Sequence, residues 1–388
     1  MSLKKLNYFI ERKNCTLLSA GPMSVNCVDA VCEIANEYMV PIMLIASRRQ
    51  IDSEDMGGGY VNNWSTEEFS NYVRSKDKDD MVLLSRDHGG PWQNNLEIEN
   101  NYDLKKAMSS AKESYLTDIK SGFKILHIDP SIDPYNNTTT DIILDRLYEL
   151  YDFCAEHALK NNQEVIFEIG TEEQSGSTNT PDELEYTIEK VNNFCDKSNF
   201  KRPSFVVIQS GTRVAEMRNI GSFDSEVRVK NELAAEIQVP RMIDICEKNN
   251  IWMKAHNTDY ISNEALQSHP KLGIHAVNIA PEFGVIESKS IVRILSENNL
   301  NDLMDKFLEL SYESKKWSKW MVKDSKASNY EKSIIAGHYI FSLPECKNIF
   351  TEARERLEKK NLSFNDYIKS DIKKGIMRYV KNLNIIKA

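Results

Sequence analysis

The sequence predicts an α/β fold, a closed TIM (β/α)8 barrel with a C-terminal helical extension. Two observations predict it. Eight short apolar, β-branched runs alternate with amphipathic stretches, the pattern of parallel βαβ units, and eight such units close a barrel. Six consecutive runs then end in ionisable or amide side chains, and the C-terminal ends of strands are where barrels of this kind carry their function.

The runs are residues 15–20 (CTLLSA), 41–46 (PIMLIA), 81–85 (MVLLS), 123–128 (FKILHI), 164–169 (EVIFEI), 204–208 (SFVVI), 251–255 (IWMKA) and 273–279 (GIHAVNI). Most are continuously apolar, as strands buried on both faces are. Helical patterns fill 25–38, 65–75, 101–121, 140–160, 181–198, 228–249 and 262–269. A doubly wound open sheet is the competing architecture, weakened by the lack of a GxGxxG turn after the first run. Beyond the eighth run, 291–315 is helical in pattern, and 325–388 is helix-rich and basic. No Pro/Gly/Ser linker intervenes, so the expected organisation is a barrel over 1–290 with an extension, 291–388, packed on it. Gly57–Gly59, after the second run, suggests a flexible active-site loop.

A chain of 388 residues with 41% hydrophobic and 28% charged residues has the balance of a soluble globular protein. Its net charge of −9 argues against a nucleic-acid partner. The seven cysteines are widely spaced and form no CxxC, which suits reduced, buried thiols. The first residues lack an apolar leader core, and no apolar stretch reaches the ~18 residues of a membrane span. A cytoplasmic location away from membranes is the expectation.

Asp87 and His88 follow the third run directly, so one can face the barrel axis and the other the rim. His88 and His256, with Glu168 or Glu172, supply nitrogen and oxygen donors for a divalent metal at a site with an open position. A hydrogen-bonded rim role is the plain alternative for each histidine. His127, inside its run, suits a core hydrogen bond, whereas His157, His269 and His338 fall in helical segments. Asp129, Glu172 and Asp259 are carboxylates available for proton transfer, and each could instead cap the following helix. Arg48, Arg49 and Arg86 end neighbouring runs, where their guanidinium forks suit a phosphate or carboxylate. Replacing Arg86 should then weaken substrate binding and leave the fold intact. The alternative is salt bridging to acids such as Asp52.

The strand-end words resemble those of the class II D-tagatose-bisphosphate aldolase non-catalytic subunit family, related to the metal-dependent class II ketose-bisphosphate aldolases. The matching pieces are LSAGP (18–22), Gln50 with Gly58-Gly59-Tyr60, DHGGP (87–91) with WQN (92–94), and FKILHIDPSI (123–132). IGTE (169–172), VVIQSG (206–211) and AHNTDY (255–260) follow in the same order. The resemblance implies a sugar-phosphate or sugar-acid substrate and a divalent metal, Zn2+ first, with Mn2+ or Mg2+ as alternatives. It implies Asp87 as catalytic acid/base, His88 and His256 as metal ligands, and Gln209 where another metal-binding histidine is usual. Substrate contacts would come from Ser19, Gln50, Asp129, Gln209, Gly211 and Asn278. Ile45, Arg48-Arg49, Arg86, Asn278 and Glu282 depart from the pattern at the pocket mouth, which points away from tagatose 1,6-bisphosphate itself.

Two reactions need this constellation, retro-aldol cleavage through an enediolate and epimerisation through the same enediolate; the alternative is a non-catalytic role stabilising a separate catalytic aldolase subunit, which has no physical need of it. That subunit and further copies of this chain are the expected protein partners.

Overall fold

A computed structural model describes residues 3–170, 180–221, 223 and 235–386. Eight parallel strands close a barrel: β1 (Leu17–Ala20), β2 (Ile42–Ser47), β3 (Val82–Gly89), β4 (Ile125–Ile128), β5 (Ile166–Ile169), β6 (Phe205–Ile208), β9 (Trp252–Ala255) and β10 (Ala276–Ile279). Between β6 and β9 a two-residue antiparallel hairpin, β7 (Val214–Ala215) with β8 (Arg218–Asn219), stands outside the barrel. Neighbours in the barrel follow chain order, and β1 closes on β10 with Ser19 opposite Asn278. All eight predicted runs are strands.

The described helices also fall where the pattern placed them; of the pattern over 228–249, residues 228–234 lie outside the described residues and Ala235–Lys248 is helical. Val25–Tyr38, Thr140–Lys160 and Pro181–Ser198 match residue for residue. Their starts are encoded locally: the Ser24 and Thr139 side chains accept from Cys27 and Ile142 backbone N–H groups, and Thr180 forms a capping box with Glu183. The pattern missed Leu3–Lys13, a helix before β1 that buries Leu6, Phe9 and Ile10.

Two differences matter for the site. β3 continues to Gly89 instead of stopping at Ser85, so Arg86, Asp87 and His88 are strand residues. Its pairing with β4 shifts register between Arg86 and Gly89, and His88 sits at φ +44°. Such a bulge inserts a residue and re-aims side chains, which brings both Asp87 and His88 to the barrel mouth. The glycine segment is a bonded turn and not an open loop. Gly59 N–H donates to Trp64 O and Tyr60 N–H to Arg49 O. A Cβ on Gly59 would lie 1.9 Å from Gln50 O, a close approach only glycine allows.

One helix, Pro281–Glu297, runs through position 290, where the sequence suggested a boundary. The last helix, Phe364–Asn382, packs along Val25–Tyr38, with Lys369 paired to Glu33 at 2.6 Å. All seven cysteines are buried. Among the described residues no helix is long and apolar enough to cross a membrane.

Candidate functional site

Strand residues two apart share one face, and the barrel interior shows this directly. Asp87, His127, Glu168, Lys254 and Asn278 form one chain of contacts there, and His88 links it to His256 and Gln209. At its upper end, His88 Nε2 and His256 Nε2 face each other at 3.1 Å. Each ring is held from its far side: His88 Nδ1 lies 2.7 Å from Asp129 Oδ2, and His256 Nδ1 lies 2.7 Å from the Gln209 amide. Asp129 is itself fixed by Gln93 at 3.1 Å and by the Ser131 hydroxyl at 2.5 Å.

Burial acts to lower the His88 pKa, but Asp87 and Asp129 outweigh it and raise the ring to about 9. Burial and the neighbouring His88 charge hold His256 down, to about 3. Burial alone would raise Asp87; His88, His127 and Lys254 instead keep its carboxyl well below the usual range. The cluster therefore favours a positive charge between two imidazoles and two carboxylates.

The same geometry fits a divalent metal. An Nδ1–H donated to a carboxylate leaves Nε2 as the ligand atom, the usual outer-shell support of a metal-binding histidine. Two nitrogens at 2.0–2.1 Å from a tetrahedral ion stand about 3.3–3.4 Å apart, close to the spacing here. Asp87, His88 and His127 also offer ligand atoms all within 4.8 Å of one another. The side chains of Asp87 and His88 retain 12% and 14% exposure, enough for a small molecule to reach them from the mouth.

His127 was expected to serve the core. It does accept from the His88 backbone N–H at 3.2 Å, but it also lies 3.6 Å from Asp87 and 3.5 Å from Glu168. Glu168, expected as a metal ligand, is instead tied by both oxygens to Lys254, at 2.8 and 3.1 Å, and both residues are fully buried. Lys254 was missed. Its only signal was a lysine within an apolar run, IWMKA, where an ammonium needs a buried partner.

Two of the three arginines are corrections. Arg86 points away from the barrel axis and grips Asp118 with two bonds, at 2.6 and 2.8 Å, while donating to Ala46 O and Ile51 O. Arg48 is bound by Asp52 and Glu97, at 2.9 and 2.7 Å, and donates to Gly90 O. Both are buried without exposed surface on their side chains, so neither can meet a substrate. Strand alternation is the reason: with Asp87 facing in, Arg86 must face out. Arg49 alone remains at the mouth.

Asp259 is likewise a correction. Its Oδ1 accepts from the backbone N–H groups of Ala280 and Glu282, at 3.0 and 2.9 Å, capping the helix Pro281–Glu297. Burial, and then the adjacent Glu282, raise its pKa to about 8. Tyr379 and Arg378 of the last helix bond to Glu282 and close this cluster. A carboxyl raised in the folded state binds its proton more tightly there than when unfolded. Its contribution is thus unaltered below the unfolded pKa near 4, and stability falls as pH rises from about 4 to about 8. Asp259→Asn keeps the accepting oxygen and removes the ionisation. Urea midpoints at pH 5 and pH 8 should therefore differ less in the variant than in the wild type, and equal differences would contradict the assignment.

Of the remaining expected residues, Asn278 reaches Asp87 at 3.4 Å, and Ser19 lies below on β1, contacting Met43. Gln50 is buried, accepting from the Ser47 backbone and hydroxyl at 3.0 Å. Gly211, at φ +77°, follows Gln209 and Ser210 and accepts from Phe223 N–H. Glu172 lies outside the described residues.

Solved structures share this fold. A tagatose 6 phosphate kinase-like protein from Sinorhizobium meliloti superposes with a TM-score of 0.69 at 16% identity, covering 94% of this chain and 99% of that one. Fructose-bisphosphate aldolase from Campylobacter jejuni gives 0.58 at 11% identity, covering 99% and 94%. A glycerol-bound fructuronate-tagaturonate epimerase from Cohnella laeviribosi gives 0.59 at 10% identity, covering 97% and 84%. At these identities the likeness is one of fold. No curated protein matches the sequence. Residues 11–333 match the model of one family, D-tagatose-1,6-bisphosphate aldolase subunit GatZ/KbaZ-like. That span runs from before β1 to beyond the helix that Asp259 caps, so it includes every strand of the barrel and the whole Asp87–His88–His256 cluster, and by that match the chain belongs to this family.

Proposed function

We propose that this protein is a metal-dependent aldolase-type enzyme that cleaves a phosphorylated or acidic ketose through an enediolate. The observation that carries the reading is the His88–His256 pair at 3.1 Å, supported by Asp129 and Gln209, directly beside Asp87. His88 and His256 would hold the ion, with Asp87 or His127 as the further donor; when bound, the ion supplies Lewis-acid polarisation of a ketose carbonyl. Asp87, ionised at neutral pH and reachable from the mouth, is the group placed to move a proton to or from the substrate. Asn278, at 3.4 Å, steadies the Asp87 carboxylate. Lys254 neutralises Glu168 beneath it, so the floor of the site does not add a second repelling charge. Epimerisation would use the same enediolate, and the epimerase among the structural neighbours favours keeping it as an outcome of the test.

A second reading has an observation of its own: the family is described as an aldolase subunit. In that role the chain would stabilise a separate catalytic subunit. Incubating the purified chain with Zn2+ or Mn2+ and a panel of ketose phosphates and ketose acids in D2O separates the readings. Deuterium uptake or cleavage by the chain alone is expected. Inactivity throughout, with activity restored only when a catalytic aldolase subunit is added, would favour the accessory role.

A further inference from the structure

The C-terminal extension reaches the barrel mouth and sets aromatic and basic groups beside Arg49. Ser342 Oγ donates to Tyr60 O at 2.7 Å, and the Tyr339 ring rests on Tyr60 with centroids 4.9 Å apart. Lys319 places its ammonium over Tyr339 and Trp320, at 5.1 and 4.9 Å from the ring centroids. Trp320 Nε1–H donates to the Tyr339 hydroxyl at 3.2 Å, which leaves that hydroxyl's own proton to give. Arg49 lies close enough to this wall and to the histidines for its charge to reach both Lys319 and His88.

These cations differ from Arg48 and Arg86 in one respect. Arg48 and Arg86 are each matched by carboxylates. Among the described residues neither Arg49 nor Lys319 forms an ion pair, and Arg49 Nε is shielded from solvent with no hydrogen-bond partner. Burial is the first cause lowering the Arg49 pKa, and only the tyrosines Tyr339 and Tyr60 oppose it. Two cations held close without a counter-charge repel each other, and an oxyanion relieves the repulsion. A phosphate ester, with a charge of about −1.5 to −2 near pH 7, matches two cations; a carboxylate matches one.

We propose that Arg49, Lys319 and the Tyr339 hydroxyl form a phosphate subsite, in which the C-terminal extension completes the barrel's pocket. This rests on the ketose reading above and assigns the substrate's anionic end to a phosphoryl group. Among the described residues neither Lys319 nor Tyr339 meets a carboxylate: Lys319 rests over the rings of Tyr339 and Trp320, and Tyr339 packs on Tyr60.

The test is calorimetric titration of inorganic phosphate, and separately of acetate, into the metal-stripped full chain. Phosphate is expected to bind, with acetate weaker. Lys319→Met and Arg49→Met should each weaken phosphate by on the order of 10- to 100-fold, the range for losing one charged hydrogen bond. Lys319→Met keeps the aliphatic stem against Tyr339 and Trp320 and removes the charge, so it tests the subsite with little effect on folding. Tighter binding of acetate than of phosphate would overturn the phosphoryl assignment, and unchanged phosphate affinity in the double variant would overturn the subsite. Because the ion is absent, these outcomes do not depend on whether the metal reading holds; retained metal uptake by the double variant, measured in parallel, reports on that reading alone.

Discussion

Replacing Arg86 with alanine is expected to destabilise the barrel by about 3–5 kcal/mol, the cost of removing one partner from a buried ion pair. The fork of Arg86 binds both oxygens of Asp118 and two backbone carbonyls, Ala46 O and Ile51 O. Its loss leaves a buried carboxylate facing burial alone, and burial already raises Asp118 above its ordinary value despite the guanidinium. It also takes the guanidinium donor away from two buried carbonyls, Ala46 O and Ile51 O. Sequence reading had placed this arginine at the substrate, where its removal would weaken binding and spare the fold. Denaturant unfolding distinguishes the two: a stability loss under about 1 kcal/mol, within the range for a surface change, would return Arg86 to the pocket. Arg86→Ala with Asp118→Ala should recover part of the loss, because no unpaired charge then remains.

Asp87→Asn is expected to abolish turnover, with kcat lowered by about 10²–10⁴-fold, the usual contribution of a positioned acid or base. The amide is isosteric and can still bond Asn278, so the melting temperature should move little. The loss should fall on kcat and leave KM nearly unchanged, since the group moves a proton and does not grip the substrate. A variant with wild-type kcat would remove Asp87 from the chemistry. A variant that fails to fold would assign it a structural role.

The architecture was legible because parallel strands buried on both faces read as apolar runs, and each of the eight did. The pairing of His88 with His256 was legible too, from two histidines at strand ends of one face. What escaped the sequence has three physical causes. The length of β3 could not be read past Ser85, because Arg86, Asp87 and His88 are polar; without that extension, alternation could not show Arg86 facing out. Lys254 and Glu168 neutralise each other across the barrel, from runs 86 residues apart in sequence. Glu168 alone reads as a ligand, and Lys254 alone as one lysine in an apolar run. Asp259 satisfies a helix start that lies 21 residues further on, at Ala280, so its capping role has no local signature. The contribution of Lys319 and Tyr339 to the mouth is of the same kind, depending on how the last third of the chain folds back.

Convergence of His88 and His256 on a divalent ion is tested most directly by metal stoichiometry. The chain, loaded with Zn2+ or Mn2+ and freed of excess by gel filtration, is measured by inductively coupled plasma mass spectrometry beside His88→Ala, His256→Ala and the double variant. About one ion per chain is expected for the wild type, falling 10-fold or more in affinity in each single variant, as loss of a ligand outweighs the 10–100-fold cost of losing its outer support. A wild-type chain that retains no ion, or a double variant that retains it undiminished, would contradict the site.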